Sequence, residues 1–273
     1  MRGIFDGILI ASDLDGTMVT SDYRIPKVNL EAVRFFCENG GYFAASTGRS
    51  SESCRPFIEK IKPNIPCIVL NGAIIYDFAT EKVLWETEMP HDLLKYVTSI
   101  MERFPTVGVE IFGKENNFIL SMNKHMQEHL NNGDTKYTFC KGINEVHGRL
   151  YKALFIDDSK IIKELCEYVT DIEHEGAEFV TSSDCYFEML ASNINKGEAL
   201  LKLAQILGIK KENTYAIGDY YNDAQLIRVA GTGVCVASAP QEIKDIADLI
   251  VCTCEQGSIA RLISHISAKN NPI

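Results

Sequence analysis

Short apolar runs alternate with helix-spaced apolar positions at both ends of the chain. Residues 8–11 are continuously apolar and read as a buried strand that runs into Asp13. Val28, Ala32, Val33, Phe36 and Cys37 recur at helical spacing, with Pro26 to open the helix and Gly40-Gly41 to end it. A second strand at 42–45 leads into Ser46-Thr47-Gly48-Arg49, a helix over 53–60 follows, and a third strand at 67–70 ends in Asn71-Gly72. The alternation returns at Lys196, with a helix over 198–207 stopped by Gly208 and a strand at 214–217 ending in Gly218-Asp219. Helices over 222–229, 241–247 and 258–267 then interleave with strands at 233–236 and 249–251. Strands and helices in this order predict an α/β fold around a Rossmann-like parallel sheet.

The middle of the chain has a different order. Residues 74–76 and 83–85 flank a polar turn and predict a hairpin. A helix over 91–103 carries the stripe Leu93, Leu94, Val97, Ile100 and Met101, which is core spacing. Strands follow at 107–112, 117–121 and 150–156, then a helix over 159–168 and a hairpin of 178–181 with 186–190. Residues 86–191 therefore read as an α+β module inserted into a core made of 1–85 and 192–273. Trp85 reads as a packing residue; His125 and His129, four apart, share a helix face but have no third ligand nearby.

The strand ends carry the candidate chemistry. Asp13 and Asp15, two residues apart, point to the same side of the chain. Two such charges ~5 Å apart repel by about 3 kcal/mol at an effective dielectric of ~20, so the pair needs a reason to exist. Ligands of open α/β sheets bind at the carboxyl ends of strands, where Thr47, Asn71, Asp219, Asn222 and Asp223 also fall, with Lys196 at the mouth of a helix. Any one aspartate reads equally well as a turn or cap residue; recurrence at successive strand ends does not. An all-oxygen, histidine-free cluster suits Mg²⁺ shared with a substrate phosphate. Thr47 offers a hydroxyl, Gly48 a close backbone approach, and Lys196 a point charge for a phosphoryl oxygen. Arg49 reads as packing, capping or touching a substrate.

Composition narrows the partners. A net charge of -10 argues against a nucleic-acid backbone and leaves room for a small phosphorylated ligand whose charge is met locally. The nine cysteines are scattered and odd in number, so they read as reduced thiols, Cys252 and Cys254 included. The stretch Met1-Arg2-Gly3-Ile4 lacks a leader pattern, and no apolar run approaches the ~20 residues of a membrane span. A cytoplasmic protein with no membrane partner is expected.

Five motifs in order resemble the haloacid dehalogenase (HAD) superfamily, in its Cof-type group of sugar-phosphatase-like hydrolases. They are Asp13-Leu14-Asp15-Gly16-Thr17, Ser46-Thr47-Gly48-Arg49, Asn71-Gly72-Ala73, Asn195-Lys196-Gly197 and Gly218-Asp219-Tyr220-Tyr221-Asn222-Asp223. The resemblance implies a core with the first strand central and a mobile α/β cap that sets specificity. It implies Asp13 as nucleophile, and Asp15 as general acid and then base. The Asp13 carboxylate, the Asp15 carbonyl and Asp219 would hold Mg²⁺, with Asp223 supporting its waters. Thr47, Gly48, Lys196 and Asn222 would meet the phosphate, and Arg49, Asn71 and Gly72 are candidate substrate contacts. The implied function is Mg²⁺-dependent hydrolysis of small phosphorylated metabolites, sugar phosphates or similar, through an aspartyl-phosphate. A phosphomutase using the same aspartate pair and a non-catalytic phospholigand-binding protein are the alternatives. Asp184, Tyr186 and Glu188 are cap candidates for substrate contact. Two departures stand: Cys235-Val236-Ala237-Ser238-Ala239 where the group carries Ala-Met-Gly-Asn-Ala, and Gln256-Gly257-Ser258 for Asp-Gly-Val.

Overall fold

The computed structural model describes residues 3–132 and 136–270. Met1 and Arg2, where the stretch without a leader pattern begins, and 271–273, the end of the expected core, lie outside the described residues. The chain divides into two compact units, 1–86 with 195–273 and 87–194.

The first unit opens with β1 (Leu9–Ser12), α1 (Lys27–Glu38), β2 (Tyr42–Ala45), α2 (Ser51–Ile61) and β3 (Cys67–Val69). The antiparallel hairpin β4 (Ile74–Asp77) and β5 (Lys82–Glu86) follows. Pro26 stands one residue before α1 rather than inside its first turn. The third strand stops before Leu70 because Leu70 and Asn71 turn left-handed, with φ of 50° and 54°.

The second unit is built by α3 (Leu94–Arg103), β6 (Gly108–Gly113), β7 (Asn117–Ser121), α4 (Lys124–Asn132), β8 (Tyr137–Phe139), β9 (Leu150–Ile156), α5 (Ser159–Thr170), β10 (Ala177–Ser183) and β11 (Tyr186–Ala191). The expected helix over 91–103 begins as a separate 3₁₀ turn, His91–Leu93. The strand order is β10-β11-β9-β6-β7-β8, antiparallel except for the parallel pair β7–β8 that α4 connects. Leu154 stands in register with Glu188 on one side and Glu110 on the other, so both acids share a sheet face. Each has a partner, as buried charges require. Lys152 is paired with Glu188, while Glu110 accepts from Asn117 Nδ2 at 2.7 Å and lies 3.0 Å from His129 Nε2. His129 Nδ1 lies 3.1 Å from the Tyr186 hydroxyl. His129 is thus part of a side-chain network inside this unit.

The chain then returns to the first unit as α6 (Lys196–Leu207), β12 (Thr214–Gly218), α7 (Ala224–Val229), β13 (Thr232–Val236), α8 (Gln241–Lys244), β14 (Leu249–Val251) and α9 (Ser258–Asn270). The sheet order is β14-β13-β12-β1-β2, all parallel, with β1 interior. A single bridge, Ser46 to Ile68, brings β3 to the β2 side. Both faces of the sheet are covered, which is why β1 reads as one apolar run. Ile10 packs with Val33, Phe36 and Ile263 on one face; Leu9 and Ala11 pack with Leu200, Leu203 and Leu226 on the other. Trp85 packs against this second cluster. Parallel pairing puts the carboxyl ends of β1, β2, β12 and β13 along one edge. No helix among the described residues is long and apolar enough to cross a membrane.

Candidate active site

Asp13 follows β1 directly, and its N–H continues the ladder by donating to Ile217 O at 2.9 Å. The side chain is buried. Beyond it the chain turns tightly: Val19 N–H donates to Leu14 O at 2.7 Å and Gly16 N–H to Val19 O at 2.8 Å. Gly16 has φ +81°, and a Cβ there would stand 2.2 Å from Asp219 Oδ2. The glycine is therefore needed twice, for the left-handed turn and for the close approach of Asp219. Thr17 Oγ1 donates to Asp219 Oδ1 at 3.3 Å, and Ser258 Oγ anchors the same turn by donating to Thr17 O at 2.7 Å. The sequence left Thr17 and Ser258 without a role; Gly16 and Thr17 within the first motif were the available signal.

Lys196, the first residue of α6, is fully buried. Its Nζ donates to Asp13 Oδ1 and Asp223 Oδ1, each at 2.6 Å. Asn195 fixes the helix start by accepting from Glu198 N–H at 2.9 Å. The other oxygen of Asp223 accepts the N–H groups of Asp219 and Tyr220 at 2.9 and 3.3 Å, holding the turn after β12. Asp13, Asp219 and Asp223 each offer a carboxylate oxygen within 4.8 Å of the others.

Thr47 lies two residues beyond the end of β2 and is buried; its hydroxyl oxygen accepts Arg49 N–H at 3.2 Å, which leaves its own hydrogen available to an anion. Arg49 does more than pack or cap. Its Nε and Nη2 donate to Asp15 Oδ2 and Oδ1, both at 2.7 Å, a bidentate clamp. The guanidinium lies 5.1 Å from the Phe57 ring centre and 5.7 Å from that of Tyr23. A free Asp15 carboxyl, which its acid role would suggest, is not what the structure shows. Asn71 is buried after β3, and its Oδ1 accepts from Asn222 Nδ2 at 3.4 Å. Gly48 lies against Asn71, and Gly72 against the Asn195 carbonyl, both too close for a side chain. The structure thus joins Asp13, Asp219, Asp223 and Lys196 in one cluster, Asp15 with Arg49, and Asn71 with Gly48 and Asn222. Among the cap candidates, Glu188 is buried in its pair with Lys152 and Tyr186 meets His129.

The electrostatics ask for a further cation. Burial drives the Asp13 carboxyl well above the usual carboxylate range; Asp223, Asp219 and Asp15 push the same way and Lys196 opposes them. Burial and then Asp223 raise Asp219 to about 7. Burial alone would lower Lys196, but Asp13 and Asp223 outweigh it and keep the ammonium charged. Arg49 is taken by Asp15, so three carboxylates share one ammonium. The two charges left over match a divalent cation, and the all-oxygen donor set matches a hard one. The residues present fit such an ion.

A covered parallel sheet with acidic groups gathered at its carboxyl edge defines an α/β enzyme core equipped for a phosphorylated ligand. The profile of the haloacid dehalogenase-like hydrolases matches residues 10–263. The 5-amino-6-(5-phospho-D-ribitylamino)uracil phosphatase YcsE of Bacillus subtilis is 30% identical over 258 residues, covering 94% of this chain and 94% of its own. The pyridoxal phosphate phosphatase YbhA of Escherichia coli is 26% identical over 94% of this chain and 98% of its own. In fold, the chain is similar to a haloacid dehalogenase-like hydrolase from B. subtilis, with TM-score 0.81 and 23% identity over 94% of this chain and 99% of that one. It is equally similar to the HAD subclass IIB sugar phosphatase BT4131, with TM-score 0.81 and 19% identity over 94% and 98%. The chain belongs to the haloacid dehalogenase superfamily, as a Cof-type hydrolase. Within that superfamily it is a HAD-like phosphatase, a phosphoric monoester hydrolase.

Proposed function

We propose that the protein is a Mg²⁺-dependent phosphatase of small phosphorylated metabolites that works through an aspartyl-phosphate on Asp13. The observation that carries this reading is the Asp13 carboxylate 2.6 Å from the buried Lys196 ammonium, with Asp219 and Asp223 beside it. Asp13 attacks the phosphorus, and the bond from phosphorus to the leaving oxygen breaks. Asp15, in its acid form, gives its proton to that oxygen. A water then loses a proton to Asp15 as it attacks the same phosphorus, and release of inorganic phosphate frees Asp13. The Asp15 carboxyl is held by Arg49 and has to leave that clamp to reach the leaving oxygen, so an incoming phosphate dianion that draws Arg49 away both binds and frees Asp15.

Asp13, Asp219 and the Asp15 carbonyl are the ligands we assign to Mg²⁺, with Asp223 holding the turn behind them. When bound, the ion neutralises charge on the phosphoryl oxygens. Thr47, Gly48, Lys196 and Asn222 serve the phosphate in this reading. Gly72 acts through close backbone packing. We assign substrate selection to the inserted module; the names of YcsE and YbhA, two phosphatases of small phosphate monoesters, support the substrate class.

Asp13→Asn tests the proposal. It removes the nucleophile while keeping the shape of the side chain, so hydrolysis of a generic phosphate monoester should fall to background. Turnover close to wild type would overturn it.

A further inference from the structure

Three consecutive residues after β3 have positive φ: Leu70 at 50°, Asn71 at 54° and Gly72 at 101°. Asparagine tolerates this conformation and leucine does not, so the turn is strained and its surroundings hold it. Leu70 N–H donates to Arg49 O, and Asn71 N–H to Thr47 O, each at 3.0 Å. Gly72 packs so closely that a Cβ would stand 2.2 Å from Asn195 O and 3.0 Å from Lys196 N. A Cβ on Gly48 would stand 2.9 Å from Asn71 Oδ1 and 3.3 Å from its Nδ2. Asn71 is therefore fixed at the junction of the segments that carry Thr47, Lys196 and Asn222.

Its side chain is 2% exposed, with Oδ1 engaged by Asn222 Nδ2 at 3.4 Å. Nδ2 is buried and has no hydrogen-bond partner. A buried amide with its acceptor used and its donors idle needs an acceptor to arrive. We propose that Asn71 is a catalytic residue whose Nδ2 donates a hydrogen bond to an oxygen of the transferring phosphoryl group. Asn222 is the positioning residue that holds Oδ1 and so points Nδ2. This rests on the phosphate placement argued above, and it adds a donor from the turn after β3.

Asn71→Asp keeps the size, the tolerance of positive φ and the acceptor for Asn222, but replaces the donor by a negative charge. Asn71→Gly relieves the turn and removes the amide. Loss of one hydrogen bond to a charged group costs roughly 10- to 100-fold in kcat/KM, so Asn71→Gly should fall in that range and Asn71→Asp below it. Inhibition by orthovanadate, a mimic of the transferring group, should weaken in the same order. A merely structural asparagine gives a different pattern: both variants keep kcat/KM and vanadate affinity within about twofold of wild type. That result, from either variant with an unchanged melting temperature, overturns the inference. If Asn71→Asp does not fold, Asn71→Gly decides alone. Asp13→Asn separates the two claims. If it is inactive while the Asn71 variants are unaffected, only the role of Asn71 fails; if it keeps turning over, the phosphate placement itself fails.

Discussion

Asp13 and Asp15 are two residues apart and meet different cations. Asp13 points to a buried ammonium, and Asp15 to a guanidinium backed by two aromatic rings. The second pair couples binding to acid catalysis in our account, because Arg49 must release the Asp15 carboxyl before it can meet the leaving oxygen. Arg49→Ala should lower kcat/KM roughly tenfold or more, and Arg49→Lys should recover little, since a lysine cannot supply two parallel N–H groups to a carboxylate or phosphate. Steady-state kinetics of the two variants check this, and a lysine variant close to wild type would contradict it. The aspartates and Lys196 were visible in the sequence because their positions at strand ends and a helix start are local features. The clamp was not, since Arg49 and Asp15 are separated by two elements and either could face solvent. The idle amide of Asn71 was hidden for a related reason: it shows only once the partners of Asn222 and the left-handed turn are known.

Apolar runs made most strands legible, β5 among them although none of its residues is buried. The strand at 150–156 and the strand at 249–251 have the bounds expected from their apolar runs. Helix α6 starts two residues before the expected 198 because Asn195 caps it, and so Lys196 enters the first turn and points inward. The helix expected over 241–247 ends at Lys244, and the one over 222–229 begins as a 3₁₀ turn, Tyr221–Asp223. Strand β8 escaped notice, and of α4 only the spacing of His125 and His129 was read. Helix α4 buries only Met126 and Leu130 among its described side chains, a single apolar pair, and every residue of β8 is exposed, so their apolar signal is weak or missing. In the second unit, Glu110 and Glu188 occupy strand positions where burial would favour apolar residues; their partners come from other elements of that unit.

For the whole molecule, the sequence pointed to an α/β sheet, but the strand order β14-β13-β12-β1-β2 depends on packing over long separations. That order sets Asp219 and Asp223 beside Asp13, and it leaves a metal-free protein with more acid than it can neutralise. Carboxyls normally titrate near 3.9, whereas Asp219 is raised to about 7 and Asp13 is raised too. A raised carboxyl binds protons in the folded state that the unfolded chain does not hold. Its contribution to stability is full below the unfolded value and disappears as pH rises through the folded one. The chelator-treated protein should therefore melt at a lower temperature at about pH 8 than at about pH 6, and added Mg²⁺ should raise the melting temperature more at the higher pH. Asp219→Asn should flatten both effects. A Mg²⁺ shift larger at the lower pH would contradict the account.

The central claim is that phosphate leaves its ester by way of Asp13 and not by direct attack of water. The stereochemical course of hydrolysis of a thiophosphate ester made chiral at phosphorus with two oxygen isotopes, run in water labelled with the third, tests it most directly. Two in-line displacements, the first by Asp13 and the second by water, predict retention of configuration in the released thiophosphate. Inversion would mean a single displacement by water and would contradict the account.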